Sequence, residues 1–355
     1  MKTVKIKFVG KYAEDLQPKD NAITYYLQKN GYDVQISDDA DYIICDVFDP
    51  KYDYCKYPQI RIFECGENYV PDFNLIDYAV CRYPVSFGDR CFYQPGCTYP
   101  GAHWYALAEK KRDYDMDFVH KKEYFANLIT SHDSEHQYRS HFFEILNMYK
   151  RVESPGTFMN NRPGESVSWN DDTKTSFQSK CKFTICFEST SHYGFITEKI
   201  TDAFYSDTIP IYFGSANITD FFNSAAFINV ADFDSLESVV EKVKELDQDD
   251  EKYLAMLRQP ILKDPNLPWK IDSALETFIL HIFDQPYEKA YRRCRAFYPK
   301  WYDEYLSRAV DTEDLTMKDL LVRIADKIKK KVIRWYNFCR EPSCIDSTNP
   351  YRKYW

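Results

Sequence analysis

The sequence predicts an α/β chain of two Rossmann-like units facing across a cleft, followed by a helical tail. Three observations carry that expectation. Over the first 115 residues, short runs rich in Val, Ile and Phe alternate with helix-like or polar stretches, the order that builds a parallel sheet. A second series of the same kind begins near Tyr124. Between the two, Glu109-Lys110-Lys111-Arg112-Asp113-Tyr114-Asp115-Met116-Asp117 is almost wholly polar and marks the junction. The expected boundaries are 1–115 for the first unit, 116–285 for the second and 286–355 for the tail.

The elements follow in order. Val4, Ile6 and Phe8 alternate with Lys5 and Lys7, the period of a strand. Residues 22–29 are helix-like and closed by Asn30-Gly31, and 32–36 and 41–48 are strand-like. Residues 59–65 form a further strand ended by Gly66, and 77–81 another. In the second series, 124–130 is a strand and 139–149 a helix, followed by a loop over 154–170 rich in Gly, Pro and Asn. Residues 182–188 read as a strand, 196–205 as a helix, 209–213 as a strand ended by Gly214, and 227–230 as a short last strand. No internal repeat is visible.

At 355 residues the chain has room for two ordinary domains. A net charge of −9 argues against a nucleic-acid partner, because phosphate affinity draws on excess Lys and Arg. The 30 tyrosines give a mild lift to a sugar-binding reading, since aromatic rings form apolar platforms for sugars as well as cores. The 11 cysteines include no C-x-x-C pair, which argues against a structural zinc site and for free thiols in a reducing cytoplasm. The first eight residues interleave lysines with apolar residues and make no signal-peptide core, and no apolar run is long enough to cross a bilayer.

The stretch from Phe183 to Ile200 carries the chemistry: a strand, a short polar loop and a helix opening. Ile196, Ile200, Ala203 and Phe204 share one helix face, Thr197 can cap the helix, and Glu198 suits its positive end. Lys199 does not suit that end, and a cation there is explained if an anion such as a phosphate shares the helix terminus.

Phe187-Glu188-Ser189-Thr190, Gly194-Phe195-Ile196-Thr197-Glu198-Lys199-Ile200 and Thr208-Ile209-Pro210-Ile211-Tyr212-Phe213-Gly214-Ser215 closely resemble the donor-binding signature of bacterial α-1,3-fucosyltransferases, glycosyltransferase family ten. Gly66-Glu67-Asn68 and Pro71-Asp72-Phe73-Asn74-Leu75-Ile76-Asp77-Tyr78-Ala79 resemble a second segment of the same family. The likeness covers about residues 59–260.

What the resemblance implies is a GT-B architecture and transfer of L-fucose from GDP-fucose, with inversion, to the 3-hydroxyl of a lactose- or N-acetyllactosamine-type oligosaccharide or glycolipid. Lys199 would pair with the diphosphate, Glu198 with ribose or fucose hydroxyls, and Glu67 would be the catalytic base. Ser189, Tyr193 and Phe195 complete the implied donor set. Ser189 stands where the family often has Asn, and Phe195 where bacterial relatives have Tyr. The family's phosphate-binding arginine has its nearest counterpart in Arg162. No metal and no cofactor beyond the donor is expected.

Three rivals remain open. Asp113 to Asp117 contains two overlapping D-x-D patterns, as a metal-dependent GT-A transferase would need, but in a polar linker of an acidic chain. A non-catalytic carbohydrate-binding scaffold and the same fold serving another GDP-sugar are the others. In the tail, Leu321, Ile324, Ile328, Val332 and Trp335 recur at helical spacing, with Lys327, Lys329, Lys330, Lys331 and Arg334 on the other faces. Such a basic amphipathic helix reads either as a membrane-surface anchor at the inner face of the cytoplasmic membrane or as a helix packed on the protein.

Overall fold

The computed structural model describes residues 2–10, 21–46, 53–98, 103–164, 167, 172–294, 296–310, 328–329 and 332. Two parallel sheets organise it. The first has the order β2-β1-β3-β4-β5-β6, with β1 Lys2–Val9, β2 Tyr32–Ile36, β3 Tyr42–Cys45, β4 Ile60–Glu64, β5 Tyr78–Cys81 and β6 Cys91–Tyr93. The second has the order β11-β10-β9-β7-β8, with β7 Tyr124–Asn127, β8 Val152–Glu153, β9 Cys181–Phe187, β10 Ile209–Phe213 and β11 Ile228–Asn229. Every described strand pair is parallel. Central strands β3, β4 and β5 are buried at every residue, as strands covered on both faces must be.

Helices cover both faces. Helix α1 (Ala22–Lys29) starts at Asn21, whose side chain accepts from the Ile23 amide at 2.9 Å, and it buries Ile23 and Leu27 on the first sheet. Short helices α2 (Trp104–Glu109) and α3 (Met116–His120) lead into the second unit. There α4 (Tyr138–Tyr149), α7 (Leu236–Gln248) and α8 (Asp250–Leu257) pack one face of the second sheet. Helix α5 (Asp172–Gln178) precedes β9, and α6 (Glu198–Tyr205) covers the other face.

The units exchange segments, and this departs from the expected boundaries. Cys97, Trp104 and Leu107, placed by sequence in the first unit, lie in the apolar cluster of the second with Ile200 and Phe204. Helix α9 (Leu267–Asp284), placed in the second unit, returns to the first sheet. Its Leu275, Ile279, Ile282 and Phe283 are buried against β1 and β3 residues, each contributing about 2 kcal/mol of apolar burial. The chain therefore crosses between the sheets twice.

Two further helices follow, α10 (Tyr287–Ala290) and α11 (Phe297–Val310). Arg61, buried in β4, holds α11 by an ion pair to Asp303 at 2.7 Å, with Tyr302 and Leu306 packed alongside. Of the basic helix expected over 318–338, only Ile328, Lys329 and Val332 are described, as helical and exposed; the rest lies outside the described residues. Among the described residues no helix is long and apolar enough to cross a membrane.

Candidate active site

Strand β9 carries Phe183, Ile185 and Phe187 into the core of the second sheet and is followed at once by Glu188, a carboxylate with 0% exposure. Gly214 directly follows neighbouring β10, and a Cβ there would stand 2.6 Å from Glu188 Cγ. Glycine at 214 is what lets the Glu188 side chain lie across the end of β10.

The carboxylate is satisfied by the start of α6. The Thr197 amide donates to Glu188 Oε1 at 2.8 Å, and the Thr197 hydroxyl lies 2.8 Å from Oε2. Lys199 Nζ donates to Oε2 at 3.2 Å and to Thr197 Oγ1 at 3.0 Å. Helix α6 begins at Glu198 rather than at 196, with Thr197 as its N-cap accepting from the Lys199 amide. The unfavourable cation in the first turn thus has an anion supplied by the protein itself. Burial works to lower the Lys199 ammonium, but the Glu188 and Glu198 carboxylates outweigh it and hold its pKa above the ordinary lysine value.

Glu198 stands between two ammonium groups, 3.8 Å from Lys199 Nζ and 3.9 Å from Lys174 Nζ. Burial works to raise its carboxyl, and those cations together hold it below the usual carboxylate range. Lys174, on α5, is itself buried and pairs with Asp202, one turn beyond Glu198, at 2.6 Å. Burial leaves the Asp202 carboxyl raised despite that partner.

The loop between β9 and α6 is clamped against the first unit. Gly194 has φ +89°, a left-handed conformation, and a Cβ on it would meet Pro84 Cδ at 2.3 Å. Its amide donates to Ser215 Oγ and Asn217 Oδ1, while its carbonyl accepts from Tyr93 OH at 2.8 Å. The Cys97 amide donates to the Ile196 carbonyl at 3.0 Å. Residues following β6 therefore touch the turn that carries Lys199.

Glu67 lies in the exposed turn beyond the carboxyl end of β4, its amide against Cys65 Sγ at 3.3 Å. Open parallel sheets hold ligands at such ends. Ser189 is half-buried, its carbonyl accepting from the Glu135 amide. Tyr193 is 57% exposed, whereas Phe195 is buried and so faces packing rather than solvent.

Arg162 is not brought to this group. Its guanidinium pairs with Glu153 at 3.0 Å and lies over the rings of Tyr124 and Phe177, on the β8 side of the sheet. An arginine that does reach the carboxyl end of β9 is Arg139, 1% exposed, donating to the Phe187 carbonyl from Nε and Nη2. Burial lowers its guanidinium, opposed first by the charge of Glu188. Sequence reasoning passed over Arg139, Lys174 and the role of Glu188. An acid directly after the apolar run Ile185-Cys186-Phe187 was a signal for the last; Lys174 carried none.

Asp113 and Asp117 are exposed, and Asp115 caps α3 by accepting from the Phe118 amide at 2.9 Å. Among the described residues no group of three or more His, Cys, Asp or Glu is placed to hold a metal.

Comparison with known proteins gives this arrangement a context. Residues 6–99 match the α-(1,3)-fucosyltransferase FucT N-terminal domain, and residues 119–258 match the C-terminal part of glycosyltransferase family 10 (fucosyltransferase). The α-(1,3)-fucosyltransferase FucT of Helicobacter pylori is 28% identical over 279 residues, 69% of this chain and 57% of that relative. This chain thus spans little more than half the length of that relative. A crystal structure of an α1,3-fucosyltransferase matches with a TM-score of 0.64 at 26% identity, over 78% of this chain and 90% of that one. One of an α1,3-fucosyltransferase with GDP-fucose matches with a TM-score of 0.61 at 25% identity, over 81% and 93%. The two sheets are those of a GT-B fold, and the chain belongs to glycosyltransferase family 10, the fucosyltransferases.

Proposed function

We propose that this protein is an inverting α-1,3-fucosyltransferase. It moves L-fucose from GDP-β-L-fucose to the 3-hydroxyl of a GlcNAc or Glc residue in an N-acetyllactosamine- or lactose-type acceptor. The observation that carries the reading is the α6 start: Lys199 fixed beside Glu198 at the carboxyl end of β9, in a turn clamped to the first unit. The likeness to the solved fucosyltransferase with GDP-fucose supports the choice of donor.

In this reading Lys199 meets the diphosphate and Glu198 the hydroxyls of ribose or fucose. The acceptor oxygen attacks the fucose anomeric carbon from the face opposite GDP, the bond from that carbon to the phosphate oxygen breaks, and Glu67 takes the hydroxyl proton. GDP leaves as an anion whose growing charge Lys199 stabilises without a metal. The acceptor is an oligosaccharide or a glycolipid of the lipopolysaccharide kind, and the enzyme works in the cytoplasm, at the inner membrane face where its basic tail holds it there.

The test is to incubate the protein with GDP-fucose and lactose or N-acetyllactosamine, with EDTA in one arm, and weigh the products. A fucosylated product in both arms is expected. No product from GDP-fucose, with transfer from another GDP-sugar, overturns the donor; activity only with added manganese overturns the metal-free mechanism.

A further inference from the structure

A carboxylate held at 0% exposure needs partners for all its lone pairs. Glu188 finds them in one place: Thr197 N, Thr197 Oγ1 and Lys199 Nζ, all at the start of α6. Its Cγ packs closely against Gly214, where a Cβ would stand 2.6 Å away. Lys199, by contrast, sits at the end of a flexible four-carbon stem that carries about 2 kcal/mol of rotamer entropy. Two of its three N–H groups are spent on Glu188 and Thr197, leaving the third for an oxygen of a ligand.

We infer that Glu188 is a positioning residue for the transfer, fixing the Lys199 ammonium where the diphosphate of GDP-fucose has to lie. This rests on the proposed fucosyl transfer. Glu188 acts through Lys199 and the Thr197 cap, as an outer partner orients a metal ligand. It also offsets part of the lysine charge, so the pair gives up some ground-state attraction for GDP in exchange for a fixed location when charge develops on the leaving group.

The experiment uses the full chain and the variants Glu188→Gln, Thr197→Val and Thr197→Ser, with GDP binding by calorimetry and initial rates with GDP-fucose. Both Glu188→Gln and Thr197→Val are expected to lose about tenfold or more in kcat. GDP affinity is held, or raised in Glu188→Gln, where the ammonium loses its counter-charge. Thr197→Ser, which keeps the hydroxyl, restores most of the rate. Near-parental kcat in a folded Glu188→Gln or Thr197→Val overturns the inference, as does a loss of kcat matched by an equal loss of GDP affinity. Should Glu188→Gln fail to fold, the Thr197 pair decides alone. A parent that transfers no fucose refutes the proposed function instead; weakened GDP binding in Glu188→Gln then still refutes the role given to Glu188.

Discussion

Lys174 Nζ stands 2.6 Å from Asp202 Oδ2, both side chains less than a tenth exposed, with Glu198 at 3.9 Å on the same ammonium. The pair joins α5 to α6 under the helix that presents Lys199. A buried ion pair adds little net stability, but removing one partner strands the other charge.

Lys174→Met should therefore destabilise the protein by about 3 kcal/mol, measured by urea unfolding at neutral pH. The double variant Lys174→Met/Asp202→Leu should recover part of that loss, since no unpaired carboxylate remains. Equal stability of parent and Lys174→Met would mean that water reaches Asp202.

Glu198 gives a pH dependence of defined sign. Its carboxyl is held below its ordinary value of 4.5, so the stability it contributes is present above that value and is lost as pH falls through the folded-state value beneath it. The difference in melting temperature between parent and Glu198→Gln should be constant near neutrality and shrink as pH drops below 4.5. A difference that grows on acidification would contradict the placement of Glu198 between Lys174 and Lys199.

Much of the frame was legible in the sequence, because local pattern decides local structure. The alternation at Val4, Ile6 and Phe8 gave β1, residues 22–29 gave α1, and Thr197 announced its own capping role. What was not legible depends on contacts far apart in the chain. The apolar face of α9 fits either sheet by pattern, and only packing sends Leu275 and Ile279 back to the first. Glu188 looks like the end of a strand until Gly214, just past the neighbouring strand, makes room for it. Arg162 sat in a suitable loop, but Glu153, Tyr124 and Phe177 hold its guanidinium on the β8 side.

Removing residues from Lys318 onward should reduce binding to vesicles of anionic lipid while leaving transfer to a soluble acceptor largely intact. Binding by the full chain should weaken as salt rises, because a basic amphipathic helix holds such surfaces partly by charge. Unchanged vesicle binding after truncation, or failure of the truncated chain to fold, would assign the segment to packing instead.

Lys199→Ala should raise the KM for GDP-fucose and lower kcat together, since a cation at the diphosphate acts in both ground and transition states. Glu188 would then keep only Thr197 as a partner, so some loss of melting temperature accompanies the kinetic effect. Unchanged GDP affinity, read by calorimetry, would remove Lys199 from the phosphates.

Glu67→Gln separates chemistry from binding. The glutamine keeps the shape and a hydrogen-bonding end, yet it cannot accept the acceptor's proton at neutral pH. Glu67 lies on the first unit, in an exposed turn beyond β4, whereas Lys199 and Glu198 belong to the second, so GDP-fucose should bind almost as well as to the parent. Exposure also means that the change should leave circular dichroism and melting temperature unaltered, which excludes misfolding as the cause of lost activity. Transfer should fall by about a hundred-fold or more, the usual worth of a positioned base. The loss should appear in kcat rather than in the donor KM, because proton transfer is an interaction of the transition state. A folded Glu67→Gln protein with near-parental turnover would remove Glu67 from the mechanism and turn the search to other acidic residues facing the cleft.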